Sequence, residues 1–373
     1  MYYFVLSTKD TYITENSPSH IVQFPNKTDK NYGGDEILQL KKEFQDGFAN
    51  SPICVSRILT QFDYSAFSSS ISDGTISSPK FYLRLYEVEG QTELDKTYSL
   101  STHMLRRTWE EGAGKHFDNP RTTAGCNWES GSSVKWASSE TGMTSGSRPG
   151  RGGGVWINAV GTETSQSFIN QSGDVEIDVT DLINKHLNDT YPNYGFLTMF
   201  SGSYESDNTD VSLKFFSRNT NTIYQPRLEV RWNDCSYPNP LATTLNYITM
   251  SGELENHIFI KGLQSTYRQS EKVRFRMGCR KKYTQKTFTE SMLTSSFYVP
   301  KGSGSYSIVD VSTNTDVVPF GAYTSMSADT TSMYFDQWFD NFEPNRYYKI
   351  LFKLKYQDGQ EIIIDNDEEF KVI

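Results

Sequence analysis

The sequence predicts an all-β protein of two sandwich-like units, on three observations. The 373 residues include 23 Tyr, 23 Phe and 6 Trp, with abundant Ser and Thr, and aromatic and β-branched side chains fit a pleated, half-buried surface. Ala and Leu, the strong helix formers, are few. Apolar positions recur at period two, as in a strand with one buried face. A turn-rich stretch, Asn233-Asp234-Cys235-Ser236-Tyr237-Pro238-Asn239-Pro240, follows a strong strand and reads as a linker. The expected division is 1–234, a linker at 235–245, and 246–373.

Taken in order, Tyr2–Leu6 and Thr11–Thr14 are short apolar runs, followed by turn signals at Pro25-Asn26 and Gly33-Gly34. Glu36–Lys42 alternates, and Ile53–Phe62 is long and apolar enough for a central strand. Phe81–Val88 is the clearest strand: Phe81, Leu83 and Leu85 share one face, and Tyr82, Arg84 and Tyr86 the other. Residues 112–154 are rich in Gly, Ser, Thr and Asn and include the run from Ser145 to Gly154. So long a loop is usually functional or mobile, and Gly150-Arg151-Gly152-Gly153-Gly154 reads as a flexible segment. Trp128, Trp136 and Trp156 are spaced through this region. The expectation is that they pin it to a sheet, the alternative that they form an aromatic platform for a sugar or a partner protein.

Val175, Ile177 and Val179 restore the alternation. Thr180–Leu187 then carries a helical stripe at Leu182, Ile183, His186 and Leu187, with Thr180 as N-cap. Tyr194–Phe200, Val211–Ser217 and Arg227–Trp232 complete the first unit as strands. Past the linker, Val273, Phe275 and Met277 face one way, and Lys272, Arg274 and Arg276 the other. Ser305–Val311 and Asp316–Phe320 flank a turn at Thr313-Asn314-Thr315. Tyr348, Ile350, Phe352, Leu354 and Tyr356 alternate strictly with Tyr347, Lys349, Leu351, Lys353 and Lys355. Asp358-Gly359 then turns the chain into Glu361–Ile364, and Phe370–Ile373 is a last short strand. About 130 residues with seven or eight strands read as a β-sandwich.

Charge and motif content narrow the function. The formal net charge of −9 argues against binding to nucleic acid, which needs a basic stripe to displace counterions. The N-terminal run MYYFVLSTKD has neither a basic region nor a long apolar region and does not read as a signal peptide. No stretch approaches a membrane span. Cys54, Cys126, Cys235 and Cys279 are far apart and form no C-x-x-C pair. They are expected as separate buried thiols, with one disulfide inside the first unit as the alternative. His20, His103, His116, His186 and His257 form no metal-binding spacing. Glu110 and Glu111 follow Trp109, but neighbours in a strand point to opposite faces. They cannot flank a glycosidic bond as a catalytic pair. Glu205–Asp210 and Asp365–Glu369 are oxygen-rich. Solvated turns are the expectation there, and a weakly held calcium ion the alternative; no other cofactor is expected. Lys272, Arg274 and Arg276, with Arg280-Lys281-Lys282 after them, form a basic face in an acidic chain. The expectation is a solvated face, with docking onto an acidic partner surface as the alternative.

Several segments carry a family resemblance. They are Ser56-Arg57-Ile58-Leu59-Thr60-Gln61-Phe62-Asp63-Tyr64-Ser65, Phe81–Leu85, Thr108-Trp109-Glu110-Glu111, Ile177-Asp178-Val179-Thr180-Asp181-Leu182-Ile183, Asn193-Tyr194-Gly195-Phe196, Phe216-Ser217-Arg218 and Pro226-Arg227-Leu228-Glu229-Val230. In this order, over about 230 residues, the first unit resembles the DNRLRE-type jelly roll, a module related to carbohydrate-binding domains. The second unit resembles an immunoglobulin-like sandwich. The pairing resembles virion structural proteins of tailed bacteriophages, marine T4-like ones above all.

The resemblance implies a non-enzymatic viral protein at the neck or collar, the tail or the fibre-attachment region. It would be made in the host bacterial cytoplasm and carried in the virion. Its partners would be other virion proteins and further copies of itself, as a homo-oligomer. The rival is an adhesin module recognising a host-surface glycan, which requires an exposed platform at Trp128, Trp136 or Trp156. An enzyme would require converging carboxylates or a Tyr, His and Arg cluster. If the chain contacts a ligand or partner through these alternatives, the candidate residues are Trp128, Trp136, Trp156, Arg274 and Arg276.

Overall fold

In a computed structural model, residues 1–16, 28–43, 54–89, 97–136, 143–145, 152–206, 210–238, 245–250, 256–282 and 297–373 are described. The turn at Pro25-Asn26 and most of the linker lie outside them, as does much of the Gly-rich run before Gly152. The protein is an all-β sandwich fold. Its strands group into two compact units. One, the first unit, comprises Val5–Ser69 and Lys80–Glu229, and the second comprises Met1–Phe4, Ser70–Pro79 and Val230–Ile373.

The strands up to Arg231 are β1 (Tyr2–Asn16), β2 (Ile37–Glu43), β3 (Cys54–Phe62), β4 (Lys80–Leu85), β5 (Tyr98–Met104), β6 (Met143–Ser145), β7 (Val155–Ile157), β8 (Glu163–Phe168), β9 (Val175–Asp178), β10 (Phe196–Phe200), β11 (Val211–Phe216) and β12 (Arg227–Arg231). They hydrogen-bond in the order β8-β5-β10-β3-β1-β12-β4-β9, with β2 added to β3 and β11 to β2, while β6 and β7 pair apart. The two apolar runs at the N-terminus are one strand. Its register on β3 shifts between Ser7 and Lys9, and such an irregularity bends a strand and increases its twist.

Three helices interrupt the strands: α1 (Ser65–Ser72), α2 (Thr180–Leu187) and α3 (Ser203–Ser206). In α2, Leu182, Ile183 and His186 are buried, as the stripe predicts. Thr180 is not its N-cap. Val179 holds that position, and the Thr180 hydroxyl accepts the Phe81 amide at 3.0 Å, tying the helix to β4. Strands β5 and β8 have no clear sequence signal, because β8 reads Glu-Thr-Ser-Gln-Ser-Phe and leaves only Phe168 buried.

The second unit adds β13 (Asn256–Lys261), β14 (Thr266–Tyr267), β15 (Lys272–Lys281), β16 (Gly304–Asp310), β17 (Thr315–Val318), β18 (Ser327–Ala328), β19 (Met333–Trp338), β20 (Arg346–Lys355) and β21 (Glu361–Val372). Sheets β13-β15-β19-β18 and β14-β21-β20-β16-β17 enclose an aromatic core. At its centre the rings of Tyr306 and Phe335 stack at 3.8 Å, and Phe275 stacks on Phe335 at 5.0 Å. The final strand joins two predicted pieces through an irregularity at 366–368, where Asp367 takes a φ of 53° and the Asn366 amide donates to the Ile258 carbonyl.

The units do not follow a single cut in the chain. Tyr2 and Phe4 lie in the core of the second unit, where Phe4 meets Phe342 at 5.6 Å. The Asn341 amide donates to the Phe4 carbonyl at 2.7 Å and the Gln337 amide to the Tyr2 carbonyl at 3.2 Å. Burying two aromatic side chains there stabilises by several kcal/mol, roughly 2 to 3 each. That explains why a segment so distant in sequence closes this sandwich.

Candidate functional site

Strand β3 carries Arg57 into the interior of the first unit, where its side chain is wholly buried. Its Nε and Nη2 donate to the two carboxylate oxygens of Glu205, each at 2.8 Å, and Nη1 donates to the Gly153 carbonyl at 2.5 Å. The guanidinium carbon lies 5.0 Å from the ring centroid of Trp128 and 5.3 Å from that of Trp156. His103 meets Trp156 at 5.4 Å, and its Nε2 lies 2.9 Å from the Ser101 hydroxyl. Burial, reinforced by Arg57, pulls the His103 imidazole down to about 4. Trp136 is also buried, and its indole donates to the Asn127 carbonyl at 2.8 Å.

The three tryptophans are therefore 3, 3 and 7% exposed and offer no platform to a sugar. Two of them clamp an ion pair, and the third pins the loop. Nor do the described glycines form a flexible segment. Gly152 has a φ of 89°, a Cβ there would collide with the Trp128 carbonyl, and the Gly153 amide donates to that carbonyl at 2.7 Å. Only a residue without a Cβ permits this approach in that conformation.

Glu110 and Glu111 also part company, though outside any strand. Glu110 is exposed. Glu111 accepts the Asp10 amide at 3.0 Å and Nη1 of Arg218 at 3.0 Å. Asp10 is fully buried and accepts from the Ser217 hydroxyl at 2.8 Å, the Arg218 amide at 2.8 Å and the Ser7 hydroxyl at 3.1 Å. Burial raises the Asp10 carboxyl to about 6 against these hydrogen bonds. The network fixes the irregularity in β1, and its acidic groups are fully occupied there. Trp109 is buried beside it, donating to the Tyr194 carbonyl at 2.9 Å with Lys9 over its ring.

Cys126 is a free buried thiol, so the first unit holds no disulfide to it. Cys235 and Cys279 are free as well, and burial pushes the Cys279 thiol up to about 12. Among the described residues no three His, Cys, Asp or Glu side chains group as metal ligands. Of the two oxygen-rich segments, Glu205 is engaged by Arg57, with 207–209 outside the described residues. Asp365 binds Lys349 at 2.8 Å and caps the Asp367 amide at 3.0 Å.

The basic face of β15 is largely neutralised within its own unit. Arg274 makes a two-pronged bond to Asp336 on β19 at 2.7 and 2.9 Å and lies 4.1 Å from the Tyr334 ring. Arg276 pairs with Asp329 at 3.0 Å, and Lys272 sits 5.0 Å over Trp338. At the far end of the strand, Arg280 and Lys281 are exposed. They face His257 and Asn256 of β13, neither of which is acidic.

One surface feature of the first unit carries unspent groups. A cleft of about 550 Å³ is lined by Gly34, Asp35, Glu36, Ile37, Gln39 and the segment Lys115-His116-Phe117-Asp118. Its far wall is held rigid from below. The Asn31 amide donates to the carbonyls of Glu111 and Cys126 at 2.7 and 2.8 Å, while its oxygen accepts from Gly33 and Gly114 at 3.1 and 2.8 Å. A Cβ at Gly33 would collide with the Glu111 carbonyl. Asp35 accepts the His116 amide at 2.9 Å and the Tyr12 hydroxyl at 3.0 Å, and Lys30 donates to the His116 carbonyl at 2.6 Å. Tyr12, Tyr32, His116 and Phe117 follow one another ring to ring, and the series ends with Phe117 91% exposed. The Lys115 amide and the Thr122 hydroxyl hold the Asp118 carboxyl below its usual range. The sequence signal for this site is faint: one Phe beside charged residues in a Gly-rich stretch.

The chain matches no protein-family model and no curated protein.

Proposed function

We propose that the chain is a non-enzymatic structural protein of a tailed-bacteriophage virion. It acts by assembly at the neck or collar, the tail or the fibre-attachment region. The first unit serves as a jelly roll of the DNRLRE type and the second as an immunoglobulin-like module. Each is a rigid surface for contacts with other virion proteins and further copies of the chain. Weak contacts repeated around a ring add through multivalency.

The observation that carries this reading is where the reactive and aromatic groups go. Arg57 and Glu205 satisfy each other between the Trp128 and Trp156 rings inside the first unit, and Asp10, Glu111 and Arg218 bond to one another and their neighbours at β1. Among the groups exposed on the described residues are an aromatic, carboxylate-lined cleft and a basic strand end, both suited to protein contacts. The test is the mass of the purified chain by light scattering, with and without a panel of glycans. A defined oligomer, or a monomer that ignores every glycan and binds other virion proteins, is the expected result. A monomer that binds one glycan and no protein partner would overturn it.

A further inference from the structure

We propose that the cleft beside Phe117 receives a basic side chain, and that the Arg280-Lys281 end of β15 in a second copy supplies it. This rests on the assembly reading and names its contact. The protein's own cation sites set the pattern. Arg57 lies between two indole rings with Glu205 bonded to it, and Arg274 lies on Tyr334 with Asp336 bonded to it. Lys272 stands over Trp338 with Asp336 at 3.7 Å. In each, a ring face and a carboxylate hold one cation.

The cleft presents the ring and the carboxylates, with no cation of the described residues on the ring. Asp35, Glu36 and Asp118 line it against a single ammonium, Lys115. Asp35 is occupied by two donors, whereas Glu36 is exposed: its backbone carbonyl accepts the Ser217 amide at 3.0 Å, and its carboxylate bonds to no other described residue. Phe117 is almost fully exposed on a wall fixed by the Asn31, Asp35 and Lys30 bonds. A fixed backbone beneath an exposed ring leaves less to be ordered on binding, and preorganisation of this kind favours affinity. A ring face attracts a guanidinium or ammonium group, more so once water is excluded.

Arg280 and Lys281 are the complementary half. Both are exposed, and neither makes an ion pair with another described residue. Their cross-strand neighbours His257 and Asn256 supply no carboxylate. The cleft belongs to the first unit and the strand end to the second. The contact joins two different patches of the chain, so made in one direction it closes into a ring or grows as a filament, and made reciprocally it gives a two-fold dimer.

Sedimentation velocity on the full chain, over a range of concentration and at low and high salt, tests this. Phe117, Glu36 and Arg280 are all exposed, so substitutions there leave the fold intact. The wild-type chain is expected to associate, less so at high salt. Phe117→Ala weakens association between about threefold and thirtyfold, the range of one ring–cation contact. Glu36→Arg and Arg280→Glu each weaken it, and the two together restore it. If the wild type associates and these variants behave identically, the cleft is not the contact, while the assembly reading stands. If the wild type stays monomeric at every concentration, docking of a second copy is overturned. If a neutral oligosaccharide binds the wild type and not Phe117→Ala, the cleft is a saccharide site and the proposal falls.

Discussion

Arg57 and Arg274 make the same bonds in opposite surroundings. Each donates through Nε to one carboxylate oxygen and through Nη2 to the other, and each lies on aromatic rings. Arg57 is sealed in the first unit with its side chain 0% exposed, whereas the Arg274 side chain is 46% exposed in the second. The difference shows that burial, more than bond geometry, sets what an ion pair does. In the interior an unpaired charge has no water to turn to. At the surface, water and salt replace a lost partner at little cost.

The largest effect follows from breaking the buried pair. Glu205→Leu strands the Arg57 guanidinium between two indoles and is expected to cost about 3 to 5 kcal/mol. The loss reads out as a lower urea midpoint by tryptophan fluorescence. The double variant Arg57→Met with Glu205→Leu removes both charges, and it is expected to recover most of that loss. A double variant no more stable than Glu205→Leu would mean that packing, not charge, dominates the site.

The next effect is acid sensitivity of the first unit. Burial lowers His103 and His186 to about 4 from the ordinary 6.5. The folded state thus binds fewer protons than the unfolded state, and stability is lost as pH falls from 6.5 toward 4. Each contributes on the order of 3 kcal/mol. Asp10 acts in the opposite sense. Its folded value of about 6 exceeds the ordinary carboxylate value, so its protonated form favours the folded state and stability rises as pH falls through 6. Two imidazoles against one carboxyl leave a net loss on acidification. In the second unit His257 is only shallowly buried, and Asp329 and Asp365, held below the usual carboxylate range by Arg276 and Lys349, give up stability only as pH falls below about 4. The first unit should therefore unfold first on acidification, read as Trp128 and Trp156 fluorescence changing before the β-sheet signal of the second unit. Simultaneous loss of both units would break the comparison.

The smallest effect is at the surface pair. Arg274→Ala is expected to cost under about 1 kcal/mol, and less in high salt. A cost matching that of Glu205→Leu would show that ring contact outweighs burial.

Much of the fold was legible in the sequence because a strand with one buried face writes period two into the chain. Phe81, Leu83 and Leu85 are all fully buried, and so, nearly, are Tyr348, Ile350 and Phe352. Strands such as β8 were not legible, since an edge of Ser, Thr and Gln buries too little to leave a pattern. The N-terminal strand hid its second role for another reason: Tyr2 and Phe4 look like any apolar run until the distant core they fill is known. The site was less legible still. Trp128 and Trp156 were visible as candidates, but their partners Arg57 and Glu205 are 148 positions apart. Phe117 gave almost no signal, because exposure is a property of the fold and not of the residue.

One ring-and-carboxylate arrangement thus serves as structure where its cation is buried, is nearly neutral where its cation is exposed, and, in the contact proposed above, binds a cation from another copy. Exchange of arginine Nε protons with solvent, measured by NMR on dilute and concentrated samples, tests all three at once. Arg57 should be protected at every concentration, Arg274 should exchange quickly throughout, and Arg280 should gain protection only on concentration. Arg280 exchanging freely in the concentrated sample, or Arg57 exchanging as fast as Arg274, would contradict it.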